Sequence, residues 1–203
     1  MNRGVFLAFE GIDASGKSTI AKLIAERYDA TFTPEPGGTP LGVELRKWLL
    51  DAATPMKPES EALLMLADRS HHVFELIEPT LAAGKHIVAD RYYASTLAYQ
   101  GYGRGLNLTE LRAATDLAIG STLPDLTVLI DLSVEAANER RERDSKDRFE
   151  SADENFHQRV RQGYLEIAAV ASEKWVIVDG AGTVDEVLAR VEQELTLLPW
   201  NRG

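Results

Sequence analysis

Short runs that are almost wholly apolar alternate along this chain with longer stretches in which apolar residues return every three or four positions. The runs 5–10 (VFLAFE), 30–34, 86–90 (HIVAD), 126–131 (LTVLID) and 175–179 (WVIVD) predict strands. The stretches 17–28, 41–52, 60–83, 109–119, 133–143, 153–172 and 183–198 carry helical spacing. Asn107-x-x-Glu110 and Thr183-x-x-Glu186 are capping boxes placed where two of those helices should begin. Strands this apolar expect burial on both faces, so the alternation predicts an α/β fold with a parallel sheet covered by helices on each side. No linker, repeat or low-complexity tract interrupts the pattern, which predicts a single domain over 1–203.

Composition narrows the picture. A chain of 203 residues with 44% hydrophobic and 27% charged side chains has the make-up of one packed globular domain rather than of a disordered or fibrous one. It has no cysteine, which removes disulfides, thiolate nucleophiles and Cys-ligated metals and suits a reducing cytoplasm. The apolar run Val5–Phe9 stops at Glu10, too short for a signal peptide or a membrane span, so neither export nor a membrane partner is expected. Lys and Arg number 22 against 32 Asp and Glu; a net charge of −10 disfavours sequence-independent nucleic-acid binding and requires any phosphate site to concentrate positive charge locally.

Such a site is written into the first strand–helix junction. Gly11-Ile12-Asp13-Ala14-Ser15-Gly16-Lys17-Ser18, followed by Thr19, fits G-x-x-x-x-G-K-[ST] between a predicted strand and a predicted helix. Its glycines let backbone N–H groups converge on phosphate oxygens, Lys17 would reach the β- and γ-phosphates of ATP, and the Ser18 hydroxyl would ligate Mg²⁺. A P-loop binds a nucleoside triphosphate without saying what becomes of its γ-phosphate. A switch GTPase would carry Asn-Lys-x-Asp, which is absent, and Asp179-Gly180-Ala181-Gly182 reads as a strand-to-helix turn. A phosphotransferase needs acceptor ligands: Asp90-Arg91-Tyr92 ends the HIVAD strand at the sheet's carboxyl edge, where Asp90 would hold Mg²⁺ or its waters and Arg91 would bridge phosphates. Arg69 on the long helix is a further anion ligand or a solvated helix position. Residues 139–150 are rich in Arg and poor in apolar side chains, the composition of a mobile lid bringing guanidinium groups over the triphosphate, or of a helix end laced with ion pairs such as Glu139–Arg143. The histidines at 71, 72, 86 and 157 have no ligand-like spacing and read as structural. No general base is conspicuous, which suits a phosphate acceptor, since a phosphate monoester with a second pKa of about 6 is already nucleophilic at neutral pH.

These residues together resemble the bacterial thymidylate kinases. The likeness covers nearly the whole chain and is carried by Phe9-Glu10-Gly11-Ile12-Asp13, by Glu35-Pro36-Gly37-Gly38-Thr39-Pro40, by Asp90-Arg91-Tyr92-x-x-Ser95-Thr96-x-Ala98-Tyr99-Gln100, by Gly101-Tyr102-Gly103-Arg104-Gly105 and by Asp147-Arg148-Phe149-Glu150. It implies a P-loop nucleoside monophosphate kinase fold with a five-stranded parallel sheet, transfer of phosphate from ATP to the small molecule dTMP, and a homodimer packed through helices that include the one at 60–83. It further implies that Asp13 lies near the acceptor sugar and phosphate, that Glu35 and Pro36 shape the acceptor pocket, that Arg69 contacts thymine or the acceptor phosphate, that Arg91 clamps phosphates, and that Thr96, Tyr99 and Gln100 line base and deoxyribose. With Ala14 in the P-loop and arginines in the lid, the chain resembles the lid-arginine type, in which Arg143 and Arg148 would act in catalysis. Where the family places a Phe over thymine, this chain has Met65. A deoxynucleoside kinase, with Glu10 or Asp13 as base, and a nucleotide-gated switch are the alternatives.

Overall fold

A computed structural model describes residues 3–140, 147–149, 152–171, 173–196, 198 and 200. Five strands, β1 (Phe6–Glu10), β2 (Thr31–Pro34), β3 (Ile87–Asp90), β4 (Leu126–Asp131) and β5 (Trp175–Asp179), form one sheet in the order β2-β3-β1-β4-β5. Each neighbouring pair is parallel. The strand bounds agree with the sequence pattern to within a residue, because nearly continuous apolar runs have nowhere to go but the middle of a covered sheet. Side chains of β1 alternate between two cores. Phe6 and Ala8 pack with Ile87, Ala89 and Leu129 on one face, and Leu7 and Phe9 with Val88, Val128 and Ile130 on the other. The second core is closed by α1 (Lys17–Arg27) and α9 (Val184–Leu195), and the first by the helices between β2 and β3 and those after β3.

Between β2 and β3 run α2 (Pro40–Leu50), α3 (Pro58–His72) and α4 (Glu78–Ala82), with a π-helical turn at Val73–Ile77 joining the last two. The helix predicted at 60–83 is therefore one helical rod with a wide turn in it. Sequence periodicity predicts nothing between Arg91 and Asn107, but the chain there forms α5 (Tyr93–Thr96) and a second π-helical stretch, Leu97–Gly103. Two glycines and a wide turn erase the 3.6-residue signal on which a helix assignment rests. After α6 (Leu108–Ile119) and β4 come α7 (Val134–Arg140) and α8 (Glu154–Val170); the 141–143 end of the helix predicted at 133–143 lies outside the described residues. Thr183 closes the capping box with Glu186 at α9 that the sequence indicates, and at α6 Asn107 supplies the cap by accepting from Thr109 N and Glu110 N. The π stretch packs on α8 at close quarters. A Cβ on Gly163 would meet the Tyr102 ring at 2.6 Å, so only glycine lets that ring lie against the helix. No helix among the described residues is long and apolar enough to cross a membrane.

Because all strands are parallel, the carboxyl ends of β1, β2 and β3 open on one edge, with Phe9 and Pro34 both in register with Asp90. Behind that edge α3 buries Asp68 completely. Its Oδ1 makes only a long contact with Gly37 N (3.4 Å), and its Oδ2 has no hydrogen-bond partner. Burial, and then the nearby Glu35 charge, push the Asp68 carboxyl up to about 6. An acid with a raised folded-state pKa leaves stability untouched below the unfolded value near 4. It costs increasingly as pH rises to 6, and above that the cost is constant at about 3 kcal/mol. Asp68→Asn, which keeps an acceptor for Gly37, is expected to raise the Tm at pH 7.5 and to raise it only about a third as much at pH 4.5. Thermal unfolding at the two pH values checks this, and an equal shift at both would show that the charge is not the cause.

Candidate active site

Beyond Glu10 the chain turns through Gly11, whose φ is +145° and whose Cβ position lies 2.5 Å from the Ile130 carbonyl oxygen, a place that admits glycine alone. The loop continues through Ala14 at φ +63° to Gly16, which starts α1. Lys17 is almost wholly buried. Its Nζ donates to Ile12 O (3.5 Å) and lies 4.0 Å from Asp13 Oδ1, and burial, followed by the Arg91 charge, lowers its pKa. Ser18 is half-buried in the first turn of α1, Thr19 beside it is exposed, and Ser15 Oγ is buried without a partner. Arg140, from the end of α7, leans on this loop: Nη1 donates to Ser15 O, and Nη2 to Gly180 O and Gly182 O. The 179–182 segment is the strand-to-helix turn expected, with Asp179 Oδ1 accepting from Ala181 N.

Arg91 follows β3 with φ +74°, a left-handed conformation that costs a non-glycine residue about 1–3 kcal/mol. The turn swings its guanidinium back across the sheet edge. Nη1 donates to Gly11 O (3.0 Å), Ser95 Oγ (3.1 Å) and Tyr164 OH (2.9 Å), and Nη2 to Asp13 Oδ1 (2.6 Å) and Tyr99 OH (3.0 Å). Tyr99 OH donates to the other Asp13 oxygen (2.7 Å). Burial opposes the Arg91 charge, but Tyr99, Asp13, Tyr164 and Asp90 outweigh it and raise its pKa, so the cation is permanent. Below this layer Glu10 is buried. It accepts from Tyr92 N, Ser95 N, Ser95 Oγ and Tyr164 OH, and burial raises its pKa in spite of those donors. Asp90, at the end of β3, has a buried Oδ1 with no partner.

Next to the P-loop opens a pocket. Asp13, Glu35, Pro36, Met65, Arg69, Arg91, Thr96, Tyr99 and Gln100 all line it, so every acceptor residue expected from the sequence meets the others there. Arg69 is buried with Glu35: its Nε donates to Glu35 Oε2 (2.7 Å), Nη1 to Thr96 Oγ1 (2.6 Å) and Nη2 to Tyr92 O (2.9 Å). Gln100 Nε2 donates to Glu61, which also pairs with Arg104. The reading of Arg69 as a solvated helix position does not hold.

Sequence reasoning assigned no role to Arg46, Leu50, Ser95, Asp147 and Phe149, which complete the wall. Ser95, Asp147 and Phe149 stand inside motifs that carried the resemblance, so a signal existed for them. Arg46 and Tyr164 lie on amphipathic helices, where nothing in the spacing separates a functional side chain from a surface or core one. Phe149 meets the Tyr99 ring edge-on at 5.6 Å. Arg148 donates to the carbonyl oxygens of Leu49, Asp51 and Thr54 and so ties its segment to the end of α2. Arg143 lies outside the described residues. Of the expected lid, Glu139 and Arg140 and the stretch 147–149 are described.

A P-loop beside a pocket lined by Arg69, Arg91 and Tyr99 has clear relatives. Residues 9–191 match the family model described as thymidylate kinase. Thymidylate kinase of Carboxydothermus hydrogenoformans is 44% identical over 94% of this chain and 96% of its own length, and that of Burkholderia vietnamiensis is 44% identical over 98% and 100%. The crystal structure of thymidylate kinase from Ehrlichia chaffeensis superposes with a TM-score of 0.80 at 31% identity, covering 96% of this chain and 100% of that one. The P-loop, the acceptor pocket and these likenesses place the chain in the thymidylate kinase family.

Proposed function

We propose that the pocket beside the P-loop holds dTMP and the P-loop the phosphates of ATP, with Arg91 between them. The reaction is phosphorylation of dTMP to dTDP with ATP as donor. One observation supports this division of labour above others: the Arg91 guanidinium touches the P-loop backbone at Gly11 and the pocket's Asp13–Tyr99 pair at once. A cation shared by both sites is suited to draw the donor and acceptor phosphates together and to neutralise charge as the phosphoryl group passes. Arg46, donating to Pro36 O on the pocket wall, supplies a second positive group on the acceptor side. The nucleophile is the dTMP phosphate itself, and positioning and charge neutralisation are what the chain provides.

The donor set suits Mg²⁺, which in phosphotransferases takes one or two side chains and completes its shell with phosphate and water oxygens. Asp90, with its unpartnered buried oxygen, and Ser18 are the residues that would hold it. When bound it would offset phosphate charge. Arg143 and Arg148 remain the lid arginines of the proposal; Arg148 would exchange its α2 carbonyl partners for phosphate oxygens. A nucleoside acceptor is less well served, because the Asp13 carboxyl is engaged by Arg91 and Tyr99 and Glu10 is enclosed by backbone and hydroxyl donors. The absence of cysteine supports a cytoplasmic setting. Exposed Leu63 (64%), Phe74 (73%) and Leu117 (85%) on α3, the following π turn and α6 support a homodimer through those helices.

Lys17→Ala is expected to lower kcat at least about a hundredfold while leaving the Tm unchanged or higher, because it deletes a buried ammonium but not the loop backbone. Steady-state kinetics with thermal unfolding check this, and retention of most kcat would remove Lys17 from the donor site.

Tyr99 is proposed to occupy the space of a 2′-hydroxyl. The parent is expected to prefer dUMP over UMP by about a hundredfold or more in kcat/KM, and Tyr99→Ala to narrow that ratio at least about tenfold, whatever it costs in absolute rate. An unchanged ratio would exclude Tyr99 as the sugar gate.

Phe74→Asp is expected to convert a dimer into a monomer in sedimentation velocity at micromolar concentration. A monomeric parent under those conditions would remove the homodimer from the proposal.

A further inference from the structure

His72 sits behind the acceptor pocket and does not line it, yet it closes a continuous chain of hydrogen bonds from the sheet to that pocket. Thr33, on β2, is 2.7 Å from His72 Nε2 through its Oγ1. His72 Nδ1 lies 3.0 Å from Glu35 Oε1, and Glu35 Oε2 accepts from Arg69 Nε at 2.7 Å. Arg69 then reaches Thr96 Oγ1 and the Tyr92 carbonyl oxygen. Thr33, Glu35, Arg69 and His72 are each 3% exposed or less, so water does not substitute for any of these partners.

We propose that His72 is a positioning residue for the acceptor base, fixing Glu35 so that Arg69 presents a constant donor to the pyrimidine. The inference rests on the reading of the pocket as the dTMP site. The torsion that turns a Glu carboxylate about its stem is broad and roughly two-fold, so a carboxylate tied at one oxygen does not hold its plane. In Glu35 the two oxygens are tied in different directions, one by His72 and one by Arg69. The arginine and the histidine, outweighing the effect of burial, keep Glu35 below the ordinary carboxylate range. An ionised Glu35 only accepts, so Nδ1 is the donor, and in the neutral ring Nε2 accepts from the Thr33 hydroxyl. That hydroxyl accepts as well as donates, so the ring stays seated whichever protonation state it takes. The guanidinium donates through Nη1 to Thr96, and Nη1 carries a second hydrogen. Arg69 lines the pocket, so that hydrogen serves an acceptor atom of the base. This is the logic by which a histidine or carboxylate behind a ligand fixes the ligand's direction.

Two substitutions separate positioning from packing. The amide nitrogen of Asn superposes on Nδ1 of His and that of Gln on Nε2, so His72→Asn keeps the donor to Glu35 and His72→Gln loses it. Kinetics for dTMP at saturating ATP, and for ATP at saturating dTMP, are measured for both, with Arg69→Met as reference. The expected result is a rise of about tenfold in the dTMP KM for His72→Gln, a rise below about threefold for His72→Asn, and kcat and ATP KM near the parent in both. Equal effects of Asn and Gln, or a dTMP KM unmoved by Gln, would overturn the positioning role. A dTMP KM unmoved by Arg69→Met would instead overturn the acceptor reading on which it rests. If His72→Gln does not fold, Thr33→Val, which frees the far side of the ring and keeps the Glu35–Arg69 pair, replaces it: a rise of a fewfold in dTMP KM supports the role, and an unchanged KM overturns it.

Discussion

The proposed site depends on one cation that contacts with the protein alone hold in place. Arg91 is charged under all conditions, it is fastened to Gly11, Asp13, Ser95, Tyr99 and Tyr164, and its backbone is bent into a left-handed conformation to put it there. In a chain of net charge −10 a phosphate site cannot rely on a general positive field. It needs a fixed guanidinium, and a fixed guanidinium in a largely buried place needs carboxylates. Asp13 and Glu10 meet that need at two depths, Asp13 by direct contact and Glu10 through Ser95 and Tyr164. The strain at Arg91 is offset by these contacts, and in its proposed role the cation would need little reorganisation when phosphate charge approaches.

Much of this arrangement was legible in the sequence, and the rest was hidden for identifiable reasons. The sheet could be read because its three central strands, β3, β1 and β4, are buried on both faces, which leaves a nearly uninterrupted apolar run for each. The P-loop could be read because its chemistry sits in consecutive residues. Of the residues proposed for the acceptor, Arg69 and Arg91 stood out as candidate anion ligands and the others came from motif resemblance, and the structure brings them into one pocket. What stayed hidden was the second layer. Tyr164 and His72 are single side chains on amphipathic helices, and they acquire meaning only from partners 154 and 37 residues away in sequence. The segment after Arg91 stayed hidden for a different reason. Its apolar, glycine and tyrosine residues wind with a wide turn, and no 3.6-residue period survives.

The acceptor wall and the helix that follows the Arg-rich stretch are a single packed unit. Tyr99 and Gln100 project from the π stretch, Tyr102 seats on Gly163 of α8, and Tyr164 of the same helix holds Arg91. Phe149 extends that unit by lying against Tyr99. Arg148, next to Phe149, is thus joined by close packing to the elements that shape the pocket proposed for the acceptor, and a shift of α8 is felt at the Arg91 guanidinium through one hydroxyl.

The wide turn at Leu97–Gly103 also ties the pocket to the length of the chain. A π turn accommodates residues that an α-helix over the same rise would not. Substitution alters which side chains fill it, but only removal of a residue lets it relax to α geometry. Such a deletion would close the wide turn with its flanks still in register, but would shift the side chains inside it, Tyr99 and Gln100 among them, to other positions around the helix. The spacing from Asp90 to Asn107 is therefore a structural quantity in its own right, and a homologue with one residue fewer there would have to build its acceptor wall from different side chains.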